Sequence, residues 1–561
     1  MPTEKVDRPW RRPGRLAYTR RRVRHLLRPP VTVSPMGADV TKLYDVPVRM
    51  RDGVTLRLNV YLPAVGDRFP VILSAHPYGK DRVPTRTRRG WSLNPQFRIM
   101  NQPEPLRISD QTSWEAPDPV WWAQQGYAVI NLDTRGGGHS EGRGELLSDQ
   151  EADDIAEVIG WAAGQPWSTG RVGMLGVSYL ALSQYKVAAL GPPALKAICP
   201  WEGFTDAYRD FFTSGGVVED GFARIWLFMT KRVTHQRTDL AAERRRHPLR
   251  DRFWEDLTPD LSEIEVPMLV CTSFSDANLH SVGSMRAFQD VGSRERHAYT
   301  HRGPKWSAFY GEPARQAQLA FFDRHLRQRD IEPLPRMRLE VRDRADRVVE
   351  VRDETEWPLA RTEWRQLHLG GGGTLTEEAS DPGTATFDLR RAAVAFDHRF
   401  DEDTEITGPM TLRLHISVTG TDDPRIFVGV EKRSGDRPVP FNGSYGYGRD
   451  HVAQGRLRLA LRGTDPVGGS PHQPEHTFRT LQPIRPGEPL DVVVPLSPSA
   501  TLFRRGDTLR LMVAGRYLHP RNPLFGHFPT HYVPSRRGSA TITWDPQHPS
   551  TLEVPVIPPQ Q

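Results

Sequence analysis

The chain has 561 residues, 37% of them hydrophobic, which is more than one ordinary core can hold and implies two or three domains. Its formal net charge is +7, but the first 30 residues hold Lys5 and nine arginines against Glu4 and Asp7, a local +8 that leaves the rest at −1. That placement excludes a body built around a basic nucleic-acid groove. No apolar run approaches the roughly 20 residues needed to span a bilayer, and two cysteines, Cys199 and Cys271, in apolar runs make neither a disulfide framework nor a zinc site.

Residues 1–39 read as a basic N-terminal arm. It has no apolar segment behind its charges, so it is a poor secretory signal, and a cytoplasmic location is expected. From residue 40 short apolar runs alternate with helical patterns, as in an α/β fold with a mainly parallel sheet. The strand candidates are 54–62, 69–76, 127–133, 171–177, 194–200, 266–274 and 296–300. Between them, "SDQEADDIAEVIGWAA" opens on a capping box, Ser148 with Glu151, and carries Ile155, Val158, Ile159 and Ala162 on one face. "ARQAQLAFFDRHL" repeats that pattern with Leu319, Phe322 and Leu326.

Residues 203–262 break the rhythm with several helical stretches and no strand, as a helical cap inserted in the core (40–202 and 263–334) would. Phe211, Phe212, Phe222, Trp226 and Phe228 are its candidates for an acyl pocket, although packing of cap on body explains each of them too. After residue 335 the period becomes two: in "MTLRLHISV", Met410, Leu412, Leu414, Ile416 and Val418 alternate with polar residues. "LRLMVAG", "ATITW" and "TLEVPV" behave likewise, so residues 335–561 read as an antiparallel β-sandwich.

"GMLGVSYLALSQ" (173–184) sets Ser178 at a tight junction between a buried strand and a helix. Two readings are open there. Serine is a favoured N-cap, and a strained strand-to-helix turn is also where the nucleophile of an α/β-hydrolase stands. The partners of such a nucleophile follow in the order acid, then histidine, at strand ends. "VPMLVCTSF" runs out at Asp276, and "RHAYT" is followed by His301. Together with Ser178 these make a candidate catalytic triad, in which imidazole deprotonates the serine and a carboxylate fixes the imidazole. Of the nearby histidines, His297 lies inside a predicted strand and His280 at a predicted helix start. His301 is placed on a loop before Gly303 and Pro304 and is the expected base. The Tyr179 backbone N–H is one expected oxyanion donor.

"GMLGVSYLALSQ", "HPYGK" (76–80), "DTRGGGHSEG" (133–142), "FFDRHL" (321–326) and "DETEWPL" (353–359) resemble the cocaine esterase and X-Pro dipeptidyl-peptidase (CocE/NonD-type) family of serine hydrolases, which also contains the α-amino acid ester hydrolases. The likeness spans about residues 40–560, in order. It implies an α/β-hydrolase core, an inserted helical cap and a C-terminal jelly roll of galactose-binding type. It also implies Ser178 as nucleophile, Asp276 as acid, His301 as base, and a Tyr78 hydroxyl beside the Tyr179 amide in the oxyanion hole. Two departures stand out. Ala181 replaces the usual glycine, and "HAYTHRGPKW" stands where the family often has "GPW" just before its histidine.

The leading expectation is hydrolysis of acyl or aminoacyl esters through an acyl-enzyme, with no cofactor or metal. Its partner is a small-molecule ester or amide, and a homo-oligomer is left open. The alternatives are an X-Pro dipeptidyl-peptidase or amidase, an acyltransferase using the same residues, and a non-catalytic carbohydrate-binding protein. A peptidase needs an anchor for a substrate ammonium, for which Glu202, Asp206, Glu219 and Asp220 are candidates.

Overall fold

The structure, a computed structural model, describes residues 15–88, 90–99, 105–446, 448–519 and 529–559. The apolar runs of the first half become strands β1 (Val40–Arg49), β2 (Thr55–Pro63), β3 (Phe69–His76), β4 (Ala128–Asp133), β5 (Ser168–Val177), β6 (Leu195–Trp201), β7 (Met268–Ser273) and β8 (Arg296–His301). Every residue of β3, β4 and β7 is buried, as strands covered by helices on both faces require. Pairing gives the order β1-β2-β4-β3-β5-β6-β7-β8, parallel from β4 onward and antiparallel at β1–β2 and β2–β4. Beyond β8 the sheet continues into β9 (Met337–Arg344), parallel to it, and β10 (Arg347–Glu354), antiparallel to β9.

Helix α1 (Arg15–Leu27) lies within the basic arm and packs on the short helix Pro95–Ile99, where Arg98 donates to the Leu26 carbonyl oxygen at 3.2 Å. Tyr18 and Arg22 are buried there; positions 1–14 lie outside the described residues. Helix α2 (Asp149–Ala163) is N-capped by Ser148, which accepts the Glu151 N–H. The other half of the expected capping box differs. The Glu151 carboxylate accepts the Leu147 N–H at 2.9 Å and the Tyr179 hydroxyl at 2.6 Å, because it is buried against the helix that follows β5. Among the described residues, no helix is long and apolar enough to cross a membrane.

Between β6 and β7 the chain leaves the sheet through a π-helical turn (Ala207–Phe212) and helices α4 (Phe222–Val233), α5 (Leu240–Arg246) and α6 (Arg252–Asp256). From β9 onward the described elements are strands, apart from a three-residue 3₁₀ turn at Leu459–Leu461. Leu412, Leu414, Ile416 and Val418 are buried on one face of the strand Thr411–Thr419, and Met410, just before it, is buried too. "TLEVPV" departs from the expected alternation. All of Thr551–Ile557 is buried, since that strand runs between Glu363–Gly370 on one side and Thr404–Gly408 and Thr411–Thr419 on the other. β9 also pairs in parallel with the strand Ser499–Phe503, Arg342 standing opposite Thr501.

Candidate active site

At the C-terminal end of β5, Ser178 adopts φ 58 and ψ −117, and helix α3 (Tyr179–Ala189) begins one residue later. Ser178 holds the N-cap position of α3, its carbonyl oxygen accepting the Leu182 N–H at 3.0 Å, but its side chain caps no helical N–H and is left to other partners. The turn is held by the Ser178 N–H donating to the Trp201 carbonyl oxygen at 3.1 Å. Gly176 is needed two residues before it: a Cβ there would stand 2.4 Å from the Leu180 Cβ. The Ala181 departure is matched across the interface by Gly203, where a Cβ would come within 2.7 Å of the Ala181 methyl.

The Ser178 hydroxyl stands 3.2 Å from His280 Nε2, and His280 Nδ1 stands 2.6 Å from Asp276 Oδ2. Asp276 and His280 lie four residues apart, on the turn that leads into helix α7 (Ser281–Asp290), where the Asp276 carbonyl oxygen accepts the His280 N–H at 3.0 Å. The expected base, His301, is not the histidine that faces Ser178. His301 is not on a loop past β8 but is the strand's last residue, in register with Ser273. Its ring is stacked on Trp201, with Nε2 3.1 Å from Glu202 Oε1. Ser178 and Asp276 are thus brought together with His280, and His301 stands apart from them.

A fourth group, Lys305, has no counterpart in the sequence expectation. Lys305, at the start of helix α8 (Lys305–Phe309), is 1% exposed, and its Nζ lies 2.6 Å from Asp276 Oδ2, 3.0 Å from His280 Nδ1 and 3.6 Å from Glu202 Oε2. Burial alone would raise the Asp276 carboxyl, but Lys305 and His280 pull it far below the usual carboxylate range. Burial, then the Lys305 charge, lowers the His280 imidazole from 6.5 against the opposing pull of Asp276. The two carboxylates, Asp276 and Glu202, oppose burial and Lys305 and so limit the cost of the imidazolium formed transiently at His280.

Tyr78 stands in the loop after β3, buried, with its ring edge-on to that of Tyr179. Its hydroxyl accepts the Trp226 indole N–H at 3.0 Å and bonds the Glu115 carboxyl. The Tyr179 N–H also reaches Glu115, at 3.3 Å from Oε2. Of the aromatic residues expected to line a pocket, Trp226 is the one in contact with this group, stacked on Tyr179. Phe211 packs against Trp226 and Phe222, Phe212 against Trp226 and Trp254, and both Phe211 and Phe212 are buried. Phe228 is 57% exposed and turned to Arg232. Phe204, which was not singled out, stacks on His280.

The carboxylates considered as ammonium anchors already have partners. Glu202 accepts from Ser273 and faces His301 and Lys305; Asp206 pairs with Arg209 and Arg250. Glu219 accepts four backbone N–H groups, and Asp220 pairs with His531. Among the described residues, two trios have metal-ligand atoms close together, Glu202–Cys271–His301 and Asp45–Asp81–His139. Each already holds a lysine ammonium: Lys305 beside Glu202, and Lys80 at 2.9 Å from Asp45 and in contact with Asp81.

The family models for X-Pro dipeptidyl-peptidase (S15 family) and for the X-Pro dipeptidyl-peptidase C-terminal non-catalytic domain match residues 52–304 and 329–553. A crystal structure of a CocE/NonD family hydrolase from Staphylococcus aureus is 32% identical, with a TM-score of 0.87 over 95% of this chain and 100% of that one. The cocaine esterase of Rhodococcus sp. (strain MB1 Bresler) is 28% identical over 59% of this chain, and the match spans 62% of that protein's length. An α-amino acid ester hydrolase shares the fold, at 18% identity and a TM-score of 0.69 over 94% of this chain and 98% of that one.

Proposed function

Because the chain belongs to the CocE/NonD family of hydrolases, we propose that it cleaves carboxylic esters, acyl or aminoacyl, through a covalent acyl-enzyme on Ser178. The observation that carries this reading is the file of contacts from Ser178 Oγ through His280 to Asp276, set on a strained turn at the end of β5. With Nδ1–H donated to Asp276, His280 Nε2 is a free acceptor for the serine proton. As Ser178 Oγ bonds to the acyl carbon, that proton passes to Nε2 and the carbonyl π pair moves onto oxygen. The Tyr78 hydroxyl and the Tyr179 N–H are the donors that would hold the oxyanion. Collapse expels the alcohol, which takes the proton from His280, and water then repeats the sequence on the acyl-enzyme. The residue 203–262 insert is the cap over this site in the same reading, and the β-rich half a jelly roll.

An ester is favoured over an N-terminal dipeptide because the four carboxylates suited to anchor an ammonium are engaged within the protein. A relative named for an ester, cocaine esterase, points the same way. The test is a fluorophosphonate label followed by peptide mapping, with a p-nitrophenyl acyl ester assayed in parallel. Label on Ser178 and a burst of p-nitrophenol, both lost in Ser178→Ala, are expected. A folded wild type that takes no label at Ser178 would sink the reading.

A further inference from the structure

Both donors assigned to the oxyanion already hold an acceptor, and that acceptor is a carboxyl group of the protein. Glu115 Oε2 receives the Tyr179 N–H at 3.3 Å, the Tyr78 hydroxyl bonds the same carboxyl, and the Trp114 indole N–H meets Oε1 at 3.0 Å. Glu115 is 5% exposed, and its backbone has φ 68, in the left-handed region that a non-glycine residue enters at a cost. Its carbonyl oxygen accepts the Val177 N–H at 3.0 Å, which ties this strained residue to the residue before the nucleophile. Three of the positive-φ residues outside glycine, Glu115, Ser178 and Glu202, thus meet in one cluster.

We propose that Glu115 is a catalytic residue of the oxyanion site: as a neutral acid it gives its own O–H to the substrate's carbonyl oxygen, and as a carboxylate it occupies the donors and shuts the site. The inference rests on Ser178 being the nucleophile. A tetrahedral oxyanion and a carboxylate cannot share the same two donors, since like charges at hydrogen-bond range exclude each other. A carboxylic acid removes the charge repulsion, is the weaker acceptor and so yields the two donors to the oxyanion, and adds its own O–H as a third donor. The groups facing Glu115 are Tyr78 after β3, Tyr179 at the start of α3, and Lys305 and Tyr310 at the two ends of α8. Asp118 follows on its own segment, tied to Ser109 and within 3.8 Å of Arg315. Burial raises the Glu115 carboxyl to about 8 although Lys305 pulls it down. The neutral acid therefore prevails at pH 7.

The wild-type pH profile of kcat/KM on an activated acyl ester should fall as pH rises through about 8. Glu115→Gln, whose amide still donates, should keep kcat within about tenfold at pH 7 and lose that alkaline fall. Glu115→Ala should lose roughly 10²-fold in kcat with little change in KM, as removal of an oxyanion donor does. Wild-type kcat in Glu115→Ala would overturn the inference, as would an alkaline fall that persists in Glu115→Gln. If neither variant folds, a wild-type profile that stays flat above pH 9 overturns it alone. Fluorophosphonate labelling of wild-type Ser178 separates the failures: no label refutes the nucleophile, whereas label with unaffected Glu115 variants refutes only the role of Glu115.

Discussion

Ser178, Asp276 and His280 are joined through contacts of 3.2 and 2.6 Å, while His301 faces Glu202 instead. Replacing His280 by Ala should therefore lower kcat as severely as Ser178→Ala, by about 10⁴-fold or more, because members of such a unit fail together. His301→Ala should keep most of kcat and lose stability. The reverse pattern in folded variants would return the base to His301. The acidic limb of the wild-type profile should lie below 6.5, since burial and Lys305 both disfavour the His280 imidazolium. Lys305→Met removes one of those causes, so the limb should move to higher pH; a limb that stays in place would separate Lys305 from the base. The same change leaves Asp276 and Glu202 buried without their cation, at a cost of about 3–5 kcal/mol, readable as a lowered Tm. Ser178 and Asp276 were legible because each follows an apolar strand. Lys305 and Glu115 were not, because their partners lie far away in sequence and no local pattern marks them.

One residue of strand length decided the histidine. Apolar periodicity places β8 to within a residue or so, yet ending it at Thr300 rather than His301 moves the histidine from a loop into the sheet, where pleating fixes the side chain's direction. His280 was passed over for the opposite reason. It stands at the N-terminal edge of α7, where four-residue spacing brings its ring back over Asp276. Strands β2, β3, β4, β6 and β8 were readable to within a residue and β5 and β7 to within three, whereas β1, buried at few positions, gave no apolar run and was not expected. The order β1-β2-β4-β3-β5-β6-β7-β8 emerges from pairings that no local pattern contains. The elbow offers an element-scale test. Gly176→Ala would set a methyl 2.4 Å from the Leu180 Cβ, so the first turn of α3 must shift. A folded variant should keep Ser178 and still lose kcat by about 10²-fold, since small misplacements of a reacting group are that costly. Full activity would show that the turn can relax elsewhere.

At the scale of the whole molecule the two halves are joined through buried charge rather than by a simple linker. Arg302, fully buried one residue after β8, donates to Ser499 and Thr501 hydroxyls at 2.9 and 3.0 Å and to the His451 and Val452 carbonyl oxygens at 2.6 and 3.1 Å. Its guanidinium lies over the Phe441 ring, and burial lowers it to about 9. Three residues on, the Lys305 N–H donates to the Ser444 carbonyl oxygen at 2.8 Å, so the β-rich half also touches the segment that carries the buried ammonium of the site. A chain ending near residue 335 would strip β9 from β8 and leave Arg302 facing solvent-filled space with its partners gone. It should be insoluble or inactive; a monomeric, fully active fragment would show the β-rich half to be an appendage. Arg302→Met tests the same join within the full chain. It removes the donor to the His451 and Val452 carbonyl oxygens and to the Ser499 and Thr501 hydroxyls, which keep their own bond at 2.8 Å. Each buried group left without a donor costs about 1–3 kcal/mol. The expected result is a clear drop in Tm with kcat reduced through Lys305, and addition of Ser444→Pro, which lacks nothing at the carbonyl but bends the loop, should reduce kcat further. An Arg302→Met protein with unchanged Tm would mean that the join between the halves does not depend on the Arg302 charge.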